Sequence, residues 1–327
     1  MPTARRSPRP ADRSVAPIVR PHGEAIVPER GRARRSRLGA AVEAGSFVLT
    51  TGVGTLREPD REGLRETLRA IRDAFAFVKF GDNPRARARV SPWAAAAVAI
   101  AEGLEPIVHV TCRDRNRLAL KADLLGGRLL GTPNVLCLRG DEIEHSNEPG
   151  VRAVRDMDVV DLIGLASGLG EGEFYVLAAC DPQAGASEGH FARLREKVEA
   201  GAHLLETQPV FDVPSFARWL ADLREAGIAL PLLVDISVVT TPEEAEFLAT
   251  IPFIRPPRDL GRRLRRNRLA GIELAAESIA ALRELPGVAG CHLSPLSGDP
   301  APVLAVVERL ALTSPKDPAK SSSGEVG

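Results

Sequence analysis

The stretch His109-Val110-Thr111-Cys112-Arg113-Asp114-Arg115-Asn116, answered further along by Leu138-Arg139-Gly140-Asp141, decides how this chain is read. Each cluster follows a short apolar run, Pro106-Ile107-Val108 before the first and Asn134-Val135-Leu136-Cys137 before the second. Each then leads into a helical pattern. Polar residues suited to chemistry, placed just past the carboxyl ends of successive buried strands, are the signature of the active face of a (β/α)8 barrel. His, Asp and Arg spent at strand ends point to an enzyme rather than a scaffold.

Outward from these clusters the alternation continues. Apolar strand candidates are Ser46–Val53, Phe75–Gly81, Pro106–Thr111, Asn134–Gly140, Glu173–Cys180, Ala202–Gln208, Leu230–Ser237 and Ala289–Pro295. Helical patterns follow at Arg61–Ala74, Pro92–Glu102, Arg115–Leu130, Val159–Leu169, Gly189–Ala200, Val213–Ala226 and Pro242–Thr250. A longer helical insertion covers Asp259–Leu285, and a last helix covers Ala301–Leu312. Eight strands each followed by a helix, in roughly 270 residues, predict an α/β fold, a closed (β/α)8 TIM barrel in a single domain. The competitor is an open doubly wound sheet. It calls for a glycine-rich turn after the first strand, and Gly52-Val53-Gly54 lacks the third glycine of the dinucleotide motif.

The domain is expected over residues 39–313, between an Arg- and Pro-rich disordered tail (1–38) and a flexible Ser-rich tail (314–327). Lys plus Arg and Asp plus Glu both number 43, so no overall field favours nucleic acid or an anionic membrane. No apolar run approaches the roughly 18–20 residues that span a bilayer. The amino-terminal region lacks the apolar core of a secretory signal. Cys112, Cys137, Cys180 and Cys291 show no CxxC spacing and lie in or beside apolar runs. Buried thiols of a cytoplasmic protein account for them better than a metal site or disulfides. No metal is expected.

Alternation points His109 and Thr111 to the same side of their strand. The imidazole can hydrogen-bond a cofactor or be a satisfied core histidine, and the strand alone leaves both open. Gly140 lets a ligand approach the backbone, with the Asp141 carboxylate beside it; a surface turn with an incidental ion pair is the plainer alternative. Gln208, in Glu206-Thr207-Gln208-Pro209, offers the paired donor and acceptor that an amide-bearing heterocycle such as a pterin requires. Lys197, on the preceding helix, reads by itself as a solvated charge.

Taken together, several ordered strings resemble the methylenetetrahydrofolate reductase family, especially the reductase module of bacterial bifunctional homocysteine methyltransferase/reductase proteins. They are Gly81-Asp82-Asn83-Pro84, Ala86-Arg87, Ser91-Pro92, His109 to Asn116, Asn134 to Asp141, Asp156-Met157-Asp158, Lys197 to Ala202, and Thr207-Gln208-Pro209-Val210-Phe211-Asp212. The resemblance covers roughly residues 46 to 312. It implies FAD at the carboxyl face, NADH or NADPH as hydride donor, and reduction of 5,10-methylenetetrahydrofolate to 5-methyltetrahydrofolate. It also implies His109, Thr111, Arg139, Gly140, Asp141 and Lys197 around the flavin, Asp141 near both flavin and pterin, and Gln208 on the folate. Its partners are then small molecules, with a homo-oligomer or a one-carbon enzyme complex as the assembly.

The chain departs from the family where the chemistry is most demanding. The family's first strand ends in a glutamate followed by two prolines, and that glutamate protonates the folate's bridging ring. Here the position falls on or near Gly52, and the prolines are absent. Two carboxylates offer themselves as substitutes. Glu206 stands two residues before Gln208, so alternation points it into the barrel mouth. Asp235 occupies another strand end, where relatives have glycine. Burial would raise the pKa of either. Glu206 is therefore expected as a replacement general acid, with a buried ion pair as the alternative. The Gly52 departure also keeps open two other functions: a barrel that binds flavin or folate without turnover, and an NAD(P)H:flavin reductase with another acceptor.

Overall fold

The computed structural model describes residues 36–54, 56–169, 174–251 and 254–313. A short helix, α1 (Arg37–Glu43), enters first. Strand–helix units follow: β1 (Val48–Gly52), α2 (Arg61–Ile71), β2 (Phe77–Phe80), α3 (Pro92–Ala101), β3 (Glu105–Thr111), α4 (Arg117–Leu129), β4 (Asn134–Leu138) and α5 (Val159–Ser167). The second half runs β5 (Tyr175–Cys180), α6 (Glu188–Glu199), β6 (Leu204–Thr207), α7 (Val213–Glu225), β7 (Leu232–Val238), α8 (Pro242–Ala249), α9 (Leu260–Arg266), α10 (Ala270–Arg283), β8 (Val288–Pro295) and α11 (Ala301–Thr313). Neighbouring strands pair in parallel, and β8 pairs back onto β1, so the sheet closes in the order β1 to β8. The open doubly wound sheet is excluded.

The helices start where side chains satisfy their first N–H groups. Asp60 accepts from Gly63 at the start of α2, and Asp158–Asp161 and Thr241–Glu244 form reciprocal capping boxes on α5 and α8. Outward-facing strand residues such as Val78, Val108, Val110, Val135, Val176 and Leu205 are buried under the helix layer in one continuous core. The region expected as one helical insertion is two helices. The chain leaves the helical conformation at Asn267, whose side chain accepts from the Leu269 N–H.

The amino end of the barrel is closed by α1. Its Leu38 is fully buried among Val48, Phe77, Ile107, Leu136, Tyr175, Leu177, Leu204 and Leu233. The buried Glu105 carboxylate receives the N–H groups of Arg37 (2.9 Å) and Leu38 (3.0 Å) and the Asn134 amide (2.8 Å). Ser36 donates to Asn134 at 2.6 Å and caps the helix through Gly39. An anion at the N-terminal turn of a helix is favoured by the helix dipole as well as by these bonds. The boundary read at residue 38 therefore moves: Ser36 to Leu38 belong to the fold, because a single apolar side chain and two backbone donors fasten them. The rest of that expected tail, and residues 314–327, lie outside the described residues.

Removing the Glu105 carboxylate takes the acceptor from four donors, the Arg37 and Leu38 N–H groups, Arg37 Nε and the Asn134 amide. Glu105→Ala is expected to destabilise the protein by about 2–3 kcal/mol or more, read from urea midpoints; a loss under about 1 kcal/mol would show that α1 is only loosely seated.

Candidate active site

Period-two alternation orders the lumen into layers. Val48, Phe77, Ile107, Leu204 and Leu233 belong to the apolar floor. Two residues further along the same strands, and hence on the same side, come Thr50, Lys79, His109, Glu206 and Asp235. His292 of β8 lies level with Thr50 on one side and Asp235 on the other. Branched apolar residues usually fill such a layer; here it is polar on six strands.

Lys79 and Glu206 meet in a direct ion pair, with both side chains almost entirely removed from solvent. Burial pulls the Lys79 ammonium down and pushes the Glu206 carboxyl up, and their mutual attraction opposes both shifts. The second carboxylate oxygen of Glu206 is buried without a partner among the described residues. Asp235 accepts from the Ser294 hydroxyl at 2.8 Å, and burial pushes its carboxyl up to about 7. His109 is lowered to about 3, first by burial and then by Lys79, so it is neutral at physiological pH. Its Nε2 is buried and has no partner among the described residues. His292 is likewise held well below its ordinary value by burial, Lys79 and His109, and its Nδ1 lies 2.8 Å from the Thr50 hydroxyl.

A second region opens beside the ends of β3 and β4. A cavity of about 300 Å³ is bounded by Arg139, Gly140, Asp141 and Glu142 from one loop, by Cys112 and Arg113, and by Arg155, Asp158 and Arg193 from beyond. Gly140 has φ 85°, and an added Cβ would press on Arg113 and Thr111 at 3.0 and 3.2 Å. This conformation and this crowding both require glycine. Arg139 and Arg155 are paired with Glu142, and Arg193 with Asp158. The Asp141 side chain accepts the Arg85 N–H from the loop after β2.

The residues singled out from sequence thus divide between two places. Arg139, Gly140 and Asp141 line the cavity. Thr111 stands behind it, with its N–H and hydroxyl both given to Asp82, which is also paired with Arg115. His109 and Glu206 lie in the lumen. Lys197 is no solvated charge: it donates to the Ala179 carbonyl at 2.6 Å, and burial lowers its ammonium. Gln208 follows β6 directly, with its backbone N–H on the Cys180 carbonyl at 3.0 Å.

Of His109, Asp141 and Gln208, which the resemblance puts about flavin and folate, only Asp141 lines this cavity; His109 lies in the lumen and Gln208 just past β6. Glu206 takes the alternative read from sequence, the buried ion pair, and a carboxylate committed to an ammonium is poorly placed to give up a proton. Lys79 and His292 are functional-looking residues that the sequence reading misses. A signal exists for Lys79, a lone charge inside the apolar run Phe77-Val78-Lys79-Phe80. At Gly52, an added Cβ would meet only the His292 ring, at 3.7 Å, so the position is open to a side chain. All four cysteines are buried and free. Among the described residues no helix is long and apolar enough to cross a membrane.

The methylenetetrahydrofolate reductase family model matches residues 59–310. The chain belongs to this family. It is 27% identical over 194 residues to the 5,10-methylenetetrahydrofolate reductases of Pectobacterium carotovorum and Escherichia coli K12, covering 59% of this chain and 63% of each relative. The matched stretch is thus under two thirds of those relatives' length. A solved structure from Clostridium thermocellum, described as binding two copies of 5-methyl-5,6,7,8-tetrahydrofolic acid, superposes with a TM-score of 0.63 at 12% identity, over 84% of this chain and 97% of that one. That likeness shows the shared fold.

Breaking one side of the lumenal ion pair leaves an uncompensated charge in this reductase-family barrel. Lys79→Met is expected to cost about 3–5 kcal/mol, and the double variant Lys79→Met/Glu206→Leu to recover most of that loss. Denaturation midpoints decide it: strictly additive losses would show that the two groups do not act as a pair.

Proposed function

We propose that the protein is an NAD(P)H-dependent reductase of 5,10-methylenetetrahydrofolate, working with FAD. Family membership carries this reading, supported by the cavity beside Arg139, Gly140 and Asp141. The residues fit a polar cofactor. Arg139, Arg155 and Arg193 stand on the cavity wall, paired with Glu142 and Asp158, and Gly140 keeps the wall free of a side chain; in the lumen, apart from that cavity, the buried Nε2 of His109 lacks a partner among the described residues. When bound, a flavin would accept hydride from the nicotinamide donor and pass it to the folate. Arg139 and Lys197 would hold it, with Thr111 keeping the floor in place through Asp82.

Gln208, at the rim, would grip the pterin through its amide donor and acceptor. Asp141 would orient the substrate, its own position fixed by the Arg85 N–H. The folate is then a small-molecule partner, and the buried free thiols agree with a cytoplasmic setting.

Gly52 favours a second reading, a barrel that binds flavin or folate without turnover, since a glycine supplies no proton. One assay separates them. Under the first reading the purified protein oxidises NADH or NADPH in the presence of methylenetetrahydrofolate, and its flavin absorbance bleaches with the donor. A colourless protein that cannot be reconstituted and oxidises neither donor supports the second. Gln208→Leu is expected to raise KM for the folate at least about tenfold, the loss of roughly 1.4 kcal/mol of hydrogen bonding; an unchanged KM would remove Gln208 from the substrate site.

A further inference from the structure

Beside the neutral His109 and His292, the lumen below Gln208 holds one ammonium and two carboxyl side chains, and their contacts separate their roles. Lys79 and Glu206 are bound to one another. Asp235 has instead a neutral partner, the Ser294 hydroxyl. Asp235 also sits between the two positions that matter for a folate. On one side, its backbone N–H donates to the Thr207 hydroxyl and its carbonyl accepts the Val210 N–H, which brackets Gln208. On the other side, it is level with His292, which is level with Thr50, two residues before Gly52. The open space at Gly52 faces that same His292 ring. An arc of β1, β8, β7 and β6 therefore runs from the missing carboxylate to the glutamine.

We propose that Asp235 delivers the proton to a heterocycle gripped by Gln208, in place of a strand-1 carboxylate, with the mutually neutralised Lys79–Glu206 pair beside it in the same layer. This rests on the reductase reading. Asp235 is the carboxyl left over once Lys79 and Glu206 cancel. Burial raises it most; Lys79 and the Ser294 hydroxyl lower it and Glu206 raises it, leaving it at about 7. His109 and His292 are neutral and add no cation, and Cys291 is a buried thiol.

In the step, the proton passes from the Asp235 carboxyl to a nitrogen of the folate's one-carbon bridge. The carbon–nitrogen bond breaks, its electron pair stays on that nitrogen, and the carbon becomes part of an iminium. The hydride that reduces the iminium originates from NAD(P)H, and solvent returns a proton to Asp235. Lys79 and Glu206 are positioning residues.

The test combines an infrared titration with kinetics. A protonated-carboxyl band should disappear as pH rises through about 7, be removed by Asp235→Asn, and persist in Glu206→Gln with its disappearance moved to lower pH, since Glu206 raises the carboxyl and Lys79 lowers it. Folate reduction should fall across the same range, since the acid form is lost. Asp235→Asn should lower it about 10²–10⁴-fold, and Gly52→Glu in that background should restore part of it. If Asp235→Asn fails to fold, Ser294→Ala serves: it removes a bond that lowers the carboxyl, so the alkaline fall should move to higher pH. A band that Asp235→Asn leaves in place, a loss under about tenfold, or an alkaline fall unmoved in Ser294→Ala overturns the proposal. Wild-type protein that never reduces methylenetetrahydrofolate overturns the reductase reading and the delivery step together, while the band still reports whether Asp235 carries the proton.

Discussion

The ion pair between Lys79 and Glu206 joins β2 to β6 across the lumen, and the chemistry around it follows from that contact. Two charges taken out of water lose hydration that only a close partner restores. Once they have each other, a third full charge in the same layer has no counterpart. Burial holds His109 and His292 neutral and raises Asp235 toward protonation; Lys79 adds to the first effect and opposes the second. Desolvation thus sets the protonation state of the layer, and the pair modulates it.

Much of this architecture is legible in strand parity. The apolar runs mark all eight strands and the polar clusters after them mark the carboxyl face, because both signals are local. Counting two residues back from Gln208 aims Glu206 into the lumen. Its partner is not found that way, since Lys79 lies 127 residues away and only barrel closure brings them together. Ser36 to Leu38 are hidden for a related reason: their composition reads as tail, and only the distant Glu105 and Asn134 make them part of the fold.

The site itself is more divided than its motifs suggest. Arg139-Gly140-Asp141 shapes a cavity, whereas His109 lies in the lumen and Gln208 follows β6 directly. His109 is two residues down β3 from Thr111, which packs against Gly140, so depth along the strand rather than facing separates it from the cavity. At Gly52 the lumen has room to spare, since an added Cβ would meet only the His292 ring, at 3.7 Å.

The helix seated under the barrel has a kinetic meaning. With Leu38 filling the floor and Glu105 bound to its first turn, the amino end is sealed among the described residues, and the polar layer meets water at the carboxyl mouth. A ligand seated at that mouth and solvent protons would then share one doorway. An occupied mouth would isolate the lumen from bulk solvent, and proton exchange with the layer would wait until the mouth is clear.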